Sequence, residues 1–378
     1  MQNRKYLTLL TVVALTSGCQ PSSSQSIPSE ESFLPSISEV TSEDKTTSEP
    51  LSSLQPTLTT VFYQNPVYDL DFPDPSVIRH SDGTFYAYAT GARVIKSNDL
   101  ATWEALPNAI SRPTWGSEGA NIWAPDVQLI GGQYVMYYSL SRWDDPNPGI
   151  GIATSPHPEG PWTDHGKLFR SLEIGVNNSI DAMVYVDDDE RVYMFWGSFR
   201  GIYVIELTAD GLALKDDSIE LAAANKQHVA GFPTDRNLDV STFEGVYIVK
   251  KDNFYYMFLS TGQCCSGDYT YNVRVGRSET ITGEYFDHLD RTMKQGAVGF
   301  SVVNQNAQFI GAGHNSIIQD DVGTHWLAYH GFDNTVETRN KRMMLIDKLN
   351  WDEDGWPSTL GAAPSNNRRP GPELLLYL

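Results

Sequence analysis

The stretch Glu244–Gly262, "EGVYIVKKDNFYYMFLSTG", is a short apolar strand, an Asp-Asn turn and a second, strongly aromatic strand. The same plan occurs four more times: "DPSVIRHSDGTFYAYATG" from Asp74, "APDVQLIGGQYVMYYSL" from Ala124, "DAMVYVDDDERVYMFWGS" from Asp181 and "HNSIIQDDVGTHWLAYHG" from His314. In four copies an aromatic falls twelve residues after the first position, at Tyr86, Tyr193, Tyr256 and Trp326. The copy at Ala124 has a shorter turn and places Tyr134 and Tyr137 nearby. Most copies are followed by a third strand of matching vocabulary, such as "GIYVIELTADG" or "VRVGRSETITGEY". No long segment of helical period interrupts them. Repeated antiparallel units of roughly 50–70 residues predict an all-β chain folded as a five-bladed β-propeller. A large β-sandwich is the alternative, but it gives no reason for the repeat.

In a propeller the innermost strand of each blade starts near a central axis. The first residues of the five copies, Asp74, Ala124, Asp181, Glu244 and His314, are therefore expected to converge. A carboxylate set against apolar strands costs free energy unless it has a partner or a task. Ion pairing is the ordinary explanation, yet these positions bring no basic residue with them. Three acids close together shift one another's pKa values, as acid–base chemistry near neutral pH requires.

The chain has 378 residues, 40% of them hydrophobic, and a formal charge of −20. That balance excludes nucleic acid and anionic membrane surfaces as partners, because clustered Lys and Arg are missing. Arg4 and Lys5 precede the apolar run "YLTLLTVVALTSG", which is too short to span a bilayer and ends in small residues before Cys19. This is the layout of an export signal over residues 1–18. Residues 19–60 are rich in Ser, Thr, Pro and Glu and read as a flexible tether, since they bury too little apolar surface to offset ordering. The propeller is expected over residues 61–378.

The ordered set "FPDPSVI", "IWAPDV", "SIDAMVYVDDD", "WGSF", "EGVYIVKKDNFYYMF", "YNVRVGRS", "ITGEYFD" and "LNWDEDGWP" resembles glycoside hydrolase family 43. "STGQCCSGDYTYNVRVGRS" and "GHNSIIQDDVGTHWLAYH" look most like its α-1,5-arabinan-cleaving branch. The resemblance implies an inverting, endo-acting arabinan hydrolase working as a monomer on arabinan or arabino-oligosaccharides. By position it makes Asp74 the general base, Glu244 the general acid, and Asp181 the residue that tunes and orients the acid. Asn178 and Ser198 would contact sugar, and His314 would help hold calcium in the central channel; Trp123, one residue before the blade-two axial position, either stacks on a furanose face or packs in the core. The bland alternative for His314 is an imidazole bonded to a carboxylate, since calcium prefers oxygen ligands. Ala182 stands where the family usually has proline after Asp181, and "DDDE" replaces its usual Asp-Gly turn. An exo-acting α-L-arabinofuranosidase or β-xylosidase shares the same three carboxylates, and a glycan-binding lipoprotein without activity is the rival from another class.

Cys264 and Cys265 are either bridged or two packed thiols. "LTSGC" resembles a bacterial lipobox, with Thr16 in place of the usual leucine. The membrane is then met only through a lipid anchor on Cys19, and Gln20 points to the outer membrane. Cys19→Ala is expected to release the protein from the detergent-extracted membrane fraction; a wild-type protein wholly soluble after export contradicts the anchor.

Overall fold

The computed structural model describes residues 56–232, 243–265, 267–295 and 297–376; the signal, Cys19 and most of the tether lie outside them. The five hairpins read from the sequence form five separate antiparallel sheets. Blade one comprises Ser76–Arg79, Phe85–Ala89, Arg93–Ser97 and Glu104–Leu106. Blade two comprises Asn121–Ile130, Gln133–Ser141, Gly149–Ser155 and Thr163–Arg170, and blade three Met183–Val186, Val192–Trp196, Ile202–Leu207 and Gln227–Ala230. Blade four comprises Glu244–Lys251, Phe254–Thr261, Asn272–Ser278 and Phe300–Val303. Blade five has three strands, Phe309–Gln319, His325–Asp333 and Met343–Lys348. Each inner strand packs on the next, and the fifth returns to the first, so the chain is a five-bladed β-propeller.

Closure uses both ends of the domain. Tyr68 bridges to Met344 along the outer edge of blade five, and Phe72 donates its amide to the Arg342 carbonyl. Thr57–Tyr63 pairs with Arg369–Leu376. The strand Thr57–Tyr63 thus starts inside the stretch assigned to the tether, because these residues gain a strand partner in Arg369–Leu376.

Burial explains the unbroken apolar runs. Tyr255, Met257 and Leu259 face blade three, whereas Tyr256 and Phe258 face blade five. Successive strand side chains point to opposite faces, and a blade is covered on both. The interior is accordingly five apolar layers, one between each pair of neighbouring blades.

At the axis the backbone repeats one conformation. Asp74, Ala124, Asp181, Gly245 and His314 have φ of 62°, 38°, 57°, 58° and 51°. Their amides point away from their own sheets and need acceptors, because a buried unpaired N–H is costly. The preceding blade supplies them. Thr90 Oγ1 accepts from Ala124 at 2.9 Å, Ser139 Oγ from Asp181 at 2.8 Å, Ser260 Oγ from His314 at 2.7 Å, and His330 Nδ1 from Asp74 at 3.1 Å. These four acceptors occupy matching places on the second strands, opposite Pro73, Trp123, Glu244 and Gly313. Blade three has Gly197 there, opposite Ile180, and a Cβ on it would lie 2.3 Å from the Gly201 carbonyl oxygen. With no side chain available, the Gly245 amide interacts instead with the carboxylate of Asp181.

This corrects the register of one copy. The blade-four counterpart of Asp74 and Asp181 is Gly245, and Glu244 precedes it, matching Trp123 and Gly313. The blade-four turn is one residue shorter, with Val249 paired to Tyr256 where Ile78 pairs to Tyr86. Counting back twelve from the aromatic therefore lands one residue early. Ser139→Ala is expected to strand the Asp181 amide and lower unfolding free energy by about 1–3 kcal/mol in denaturant titration; unchanged stability would mean that the amide finds another acceptor.

Candidate active site

An open cleft of about 580 Å³ lies over the axis, and Asp74, Asp181, Glu244 and His314 all line it. The three carboxylates form its floor, each less than a tenth exposed. Their surroundings differ sharply from one side to the other.

Asp74 sits among donors. Thr90 Oγ1 donates to its Oδ2 at 2.5 Å, while Oδ1 lies 3.3 Å from Arg342 Nη1 and 3.3 Å from His314 Nδ1; His330 Nδ1, the acceptor of the Asp74 amide, is 3.2 Å from the same oxygen. Burial alone would raise the pKa of Asp74; Arg342, His314 and His330 outweigh it and hold the carboxyl well below the ordinary range. Asp74 is thus ionised at any ordinary working pH. Burial keeps His330 itself neutral, lowering its pKa to about 4.

On the other side the acids face one another. Burial pushes Asp181 well above the ordinary carboxyl range, and repulsion from Glu244 and then Asp74 adds to it. The carboxyl displaced upward is thus Asp181. Glu244 accepts from two hydroxyls, Ser198 Oγ to Oε2 at 2.6 Å and Tyr271 to Oε1 at 2.8 Å.

Of the expected sugar contacts, Trp123 and Asn178 line the cleft. Trp123 packs beside Trp143, with ring centroids 5.5 Å apart, and Trp143 is 65% exposed, so an aromatic wall continues outward from the axis. Ser198 is different: it is fully buried, and its hydroxyl is turned onto Glu244. His314 places its Nδ1 3.3 Å from Asp74 Oδ1. Cys264 and Cys265 are joined by a disulfide that lines the cleft, and Arg342 also contacts Cys265 Sγ at 3.6 Å.

Among the described residues no three His, Cys, Asp or Glu side chains converge as ligands for a metal ion. Beneath the floor, however, a chamber of about 20 Å³ is lined by His314 and Asn315, and both side-chain polar atoms of buried Asn315 are without a protein partner. One imidazole and one carboxamide fit a cation only if water completes its shell, since calcium takes six to eight oxygens.

Several working residues escaped the sequence. Thr90, Ser260 and His330 end the aromatic strands of their copies, in "YATG", "FLST" and "AYHG", and aligning those ends would have exposed them. Arg342 reaches Asp74 across 268 residues of chain, and no local pattern marks it.

A five-bladed propeller with differently tuned carboxylates on the floor of one open cleft is the framework of a glycosidase. The chain belongs to the glycosyl hydrolases family 43, whose family model matches residues 63–357. It is 31% identical to an extracellular exo-α-(1→5)-L-arabinofuranosidase of Cellvibrio japonicus over 76% of this chain and 86% of that one. It is equally 31% identical to an extracellular endo-α-(1→5)-L-arabinanase of Bacillus subtilis, over 75% and 86%. Among solved structures, the α-L-arabinanase of Cellvibrio cellulosa complexed with arabinohexaose superposes with a TM-score of 0.68 at 28% identity, covering 77% of this chain and 96% of that one.

Proposed function

We propose that the protein hydrolyses α-1,5-linked L-arabinofuranosyl bonds of arabinan with inversion, cutting within the chain. The observation that carries this reading is the pair of opposed environments on the cleft floor. Asp74, on blade one, is surrounded by Arg342, Thr90 and two imidazoles; Glu244, on blade four, has hydroxyls and a second acid. An inverting glycosidase needs an ionised base on one side of the sugar and a protonated acid on the other. The relatives named for α-(1→5)-L-arabinan-type linkages supply the substrate.

In this reading Asp74 takes a proton from water as the water oxygen bonds to the anomeric carbon. Glu244 gives its proton to the departing glycosidic oxygen. A carboxylate held as low as Asp74 is a weak base, which suits attack on a carbon already carrying oxocarbenium character. Asp181 is the acid beside Glu244 and holds the Gly245 amide, so it orients the proton donor through the backbone. Trp123 offers its face to a furanose ring, and Asn178 a polar contact. The exposed Trp143 and the partly exposed Phe199, on loops of blades two and three, extend the cleft beyond one sugar and favour internal cleavage.

An exo-acting mode has its own support, because the Cellvibrio japonicus relative at equal identity is named for it. Product length on debranched arabinan separates the two, with xylan as the comparison for a β-xylosidase: mixed oligosaccharides at early times mean endo action, and a single short product means exo. No reducing sugar from either polymer would leave a glycan-binding protein. Relatives named extracellular also support export.

Glu244→Gln is expected to lower arabinan turnover by about 10²–10⁴-fold. The defect should shrink with an aryl arabinofuranoside, whose leaving group needs little protonation. Asp74→Asn should be comparably damaging on both substrates, because water must still be activated. Near-normal hydrolysis of arabinan by Glu244→Gln would remove Glu244 from the acid role.

In the central channel we propose calcium, held by His314 with waters as its other ligands. Exhaustive chelation should lower the melting temperature, and His314→Ala should reproduce part of that shift. A melting temperature unmoved by chelation, with no metal in the purified protein, contradicts it.

A further inference from the structure

Tyr271 lies one residue before the strand Asn272–Ser278 of blade four and is 1% exposed. Its hydroxyl donates to Glu244 Oε1 at 2.8 Å, while Ser198, from blade three, donates to Oε2 at 2.6 Å. The carboxyl group is therefore held at both oxygens, from two different blades. The Tyr271 ring stacks on the imidazole of His330, with centroids 5.6 Å apart and planes 14° from parallel. His330 in turn touches both the amide and the Oδ1 of Asp74. Gly313 makes room for this stack: a Cβ there would come within 2.2 Å of the Tyr271 ring. A rigid path of two stacked rings thus runs beneath the cleft from Asp74 on blade one to Glu244 on blade four.

We propose that Tyr271 is a positioning residue for proton donation, fixing the carboxyl plane of Glu244 and the spacing between acid and base. This rests on the acid role of Glu244 given above. As the O–H bond of Glu244 breaks and the leaving oxygen gains the proton, charge grows on the carboxylate. The phenol hydroxyl already faces Oε1, so its hydrogen bond strengthens as that charge develops. An interaction stronger in the transition state than in the ground state raises turnover without tightening substrate binding. Of the further charged or titratable groups at the axis, His330 stacks on Tyr271, whereas Arg342 and His314 face Asp74.

The test is Tyr271→Phe, which keeps the ring and its stack and removes only the hydroxyl. On arabinan kcat should fall by about 10–100-fold, with KM within about twofold of wild type. On an aryl α-1,5-arabinotrioside with a good leaving group the loss should shrink to less than about threefold. Ser198→Ala should show the same substrate dependence, and a melting curve of each variant checks that the fold is kept. A fall of kcat that is equal on the two substrates, a change confined to KM, or no change on arabinan would each make Tyr271 a packing residue and overturn the inference. Glu244→Gln, assayed in parallel, keeps the two levels apart. If it lacks leaving-group dependence, the acid assignment itself is wrong; if it shows that dependence and Tyr271→Phe does not, only the role of Tyr271 falls.

Discussion

Five backbone amides at the centre of the propeller must find acceptors that their own sheets cannot give. Each belongs to a residue in the left-handed region, where the inner strand turns away from the axis. Four are satisfied by the second strand of the preceding blade, through Thr90, Ser139, Ser260 and His330. The hand-over knits neighbouring blades at the axis and fixes the side chains that leave the same residues. Asp74, Asp181 and His314 point as they do because their amides are held from behind. A catalytic floor accurate enough for proton transfer needs such pre-organisation, since misplacement by about an ångström is expensive in rate.

The cycle is incomplete at one joint, and that joint carries chemistry. Blade three offers Gly197 where the others offer a polar side chain, so Asp181 serves the Gly245 amide itself. Its carboxyl is thereby a brace for the strand that bears Glu244. Opposite, at the closure of blades five and one, Arg342 and two histidines gather on Asp74. One side of the floor favours negative charge and the other resists it. The polarity follows from which blades supply bases and which supply hydroxyls, rather than from the carboxylates themselves.

Much of this was legible in the sequence. The recurrence of strand, turn and aromatic strand declared the blades, and the first residues of the copies located the floor. Glu244 was found but assigned to the wrong register, because a turn shorter by one residue cancels an offset of one in the count to Tyr256. The supporting hydroxyls carry little signal alone: a serine in "FLST" looks like any strand serine until the five strand ends are compared. Arg342 and the stack of Tyr271 on His330 depend on closure of the ring, which brings together residues from distant blades. Ser198 was expected on the sugar because position in a motif does not reveal which way a hydroxyl turns. The boundary at Thr57 was hidden for a similar reason, its strand partner lying near the other end of the chain.

Asp74 and Glu244 lie on non-adjacent blades, and in the proposed reaction they act from opposite sides of the bound sugar. The stereochemistry of the first turnover tests it most directly. Proton NMR of arabinan hydrolysis at high enzyme concentration, followed before mutarotation, should show β-L-arabinofuranose as the first new reducing end. An α-configured end appearing first would mean retention through a covalent intermediate, and the division of labour between the two sides of the floor would be wrong.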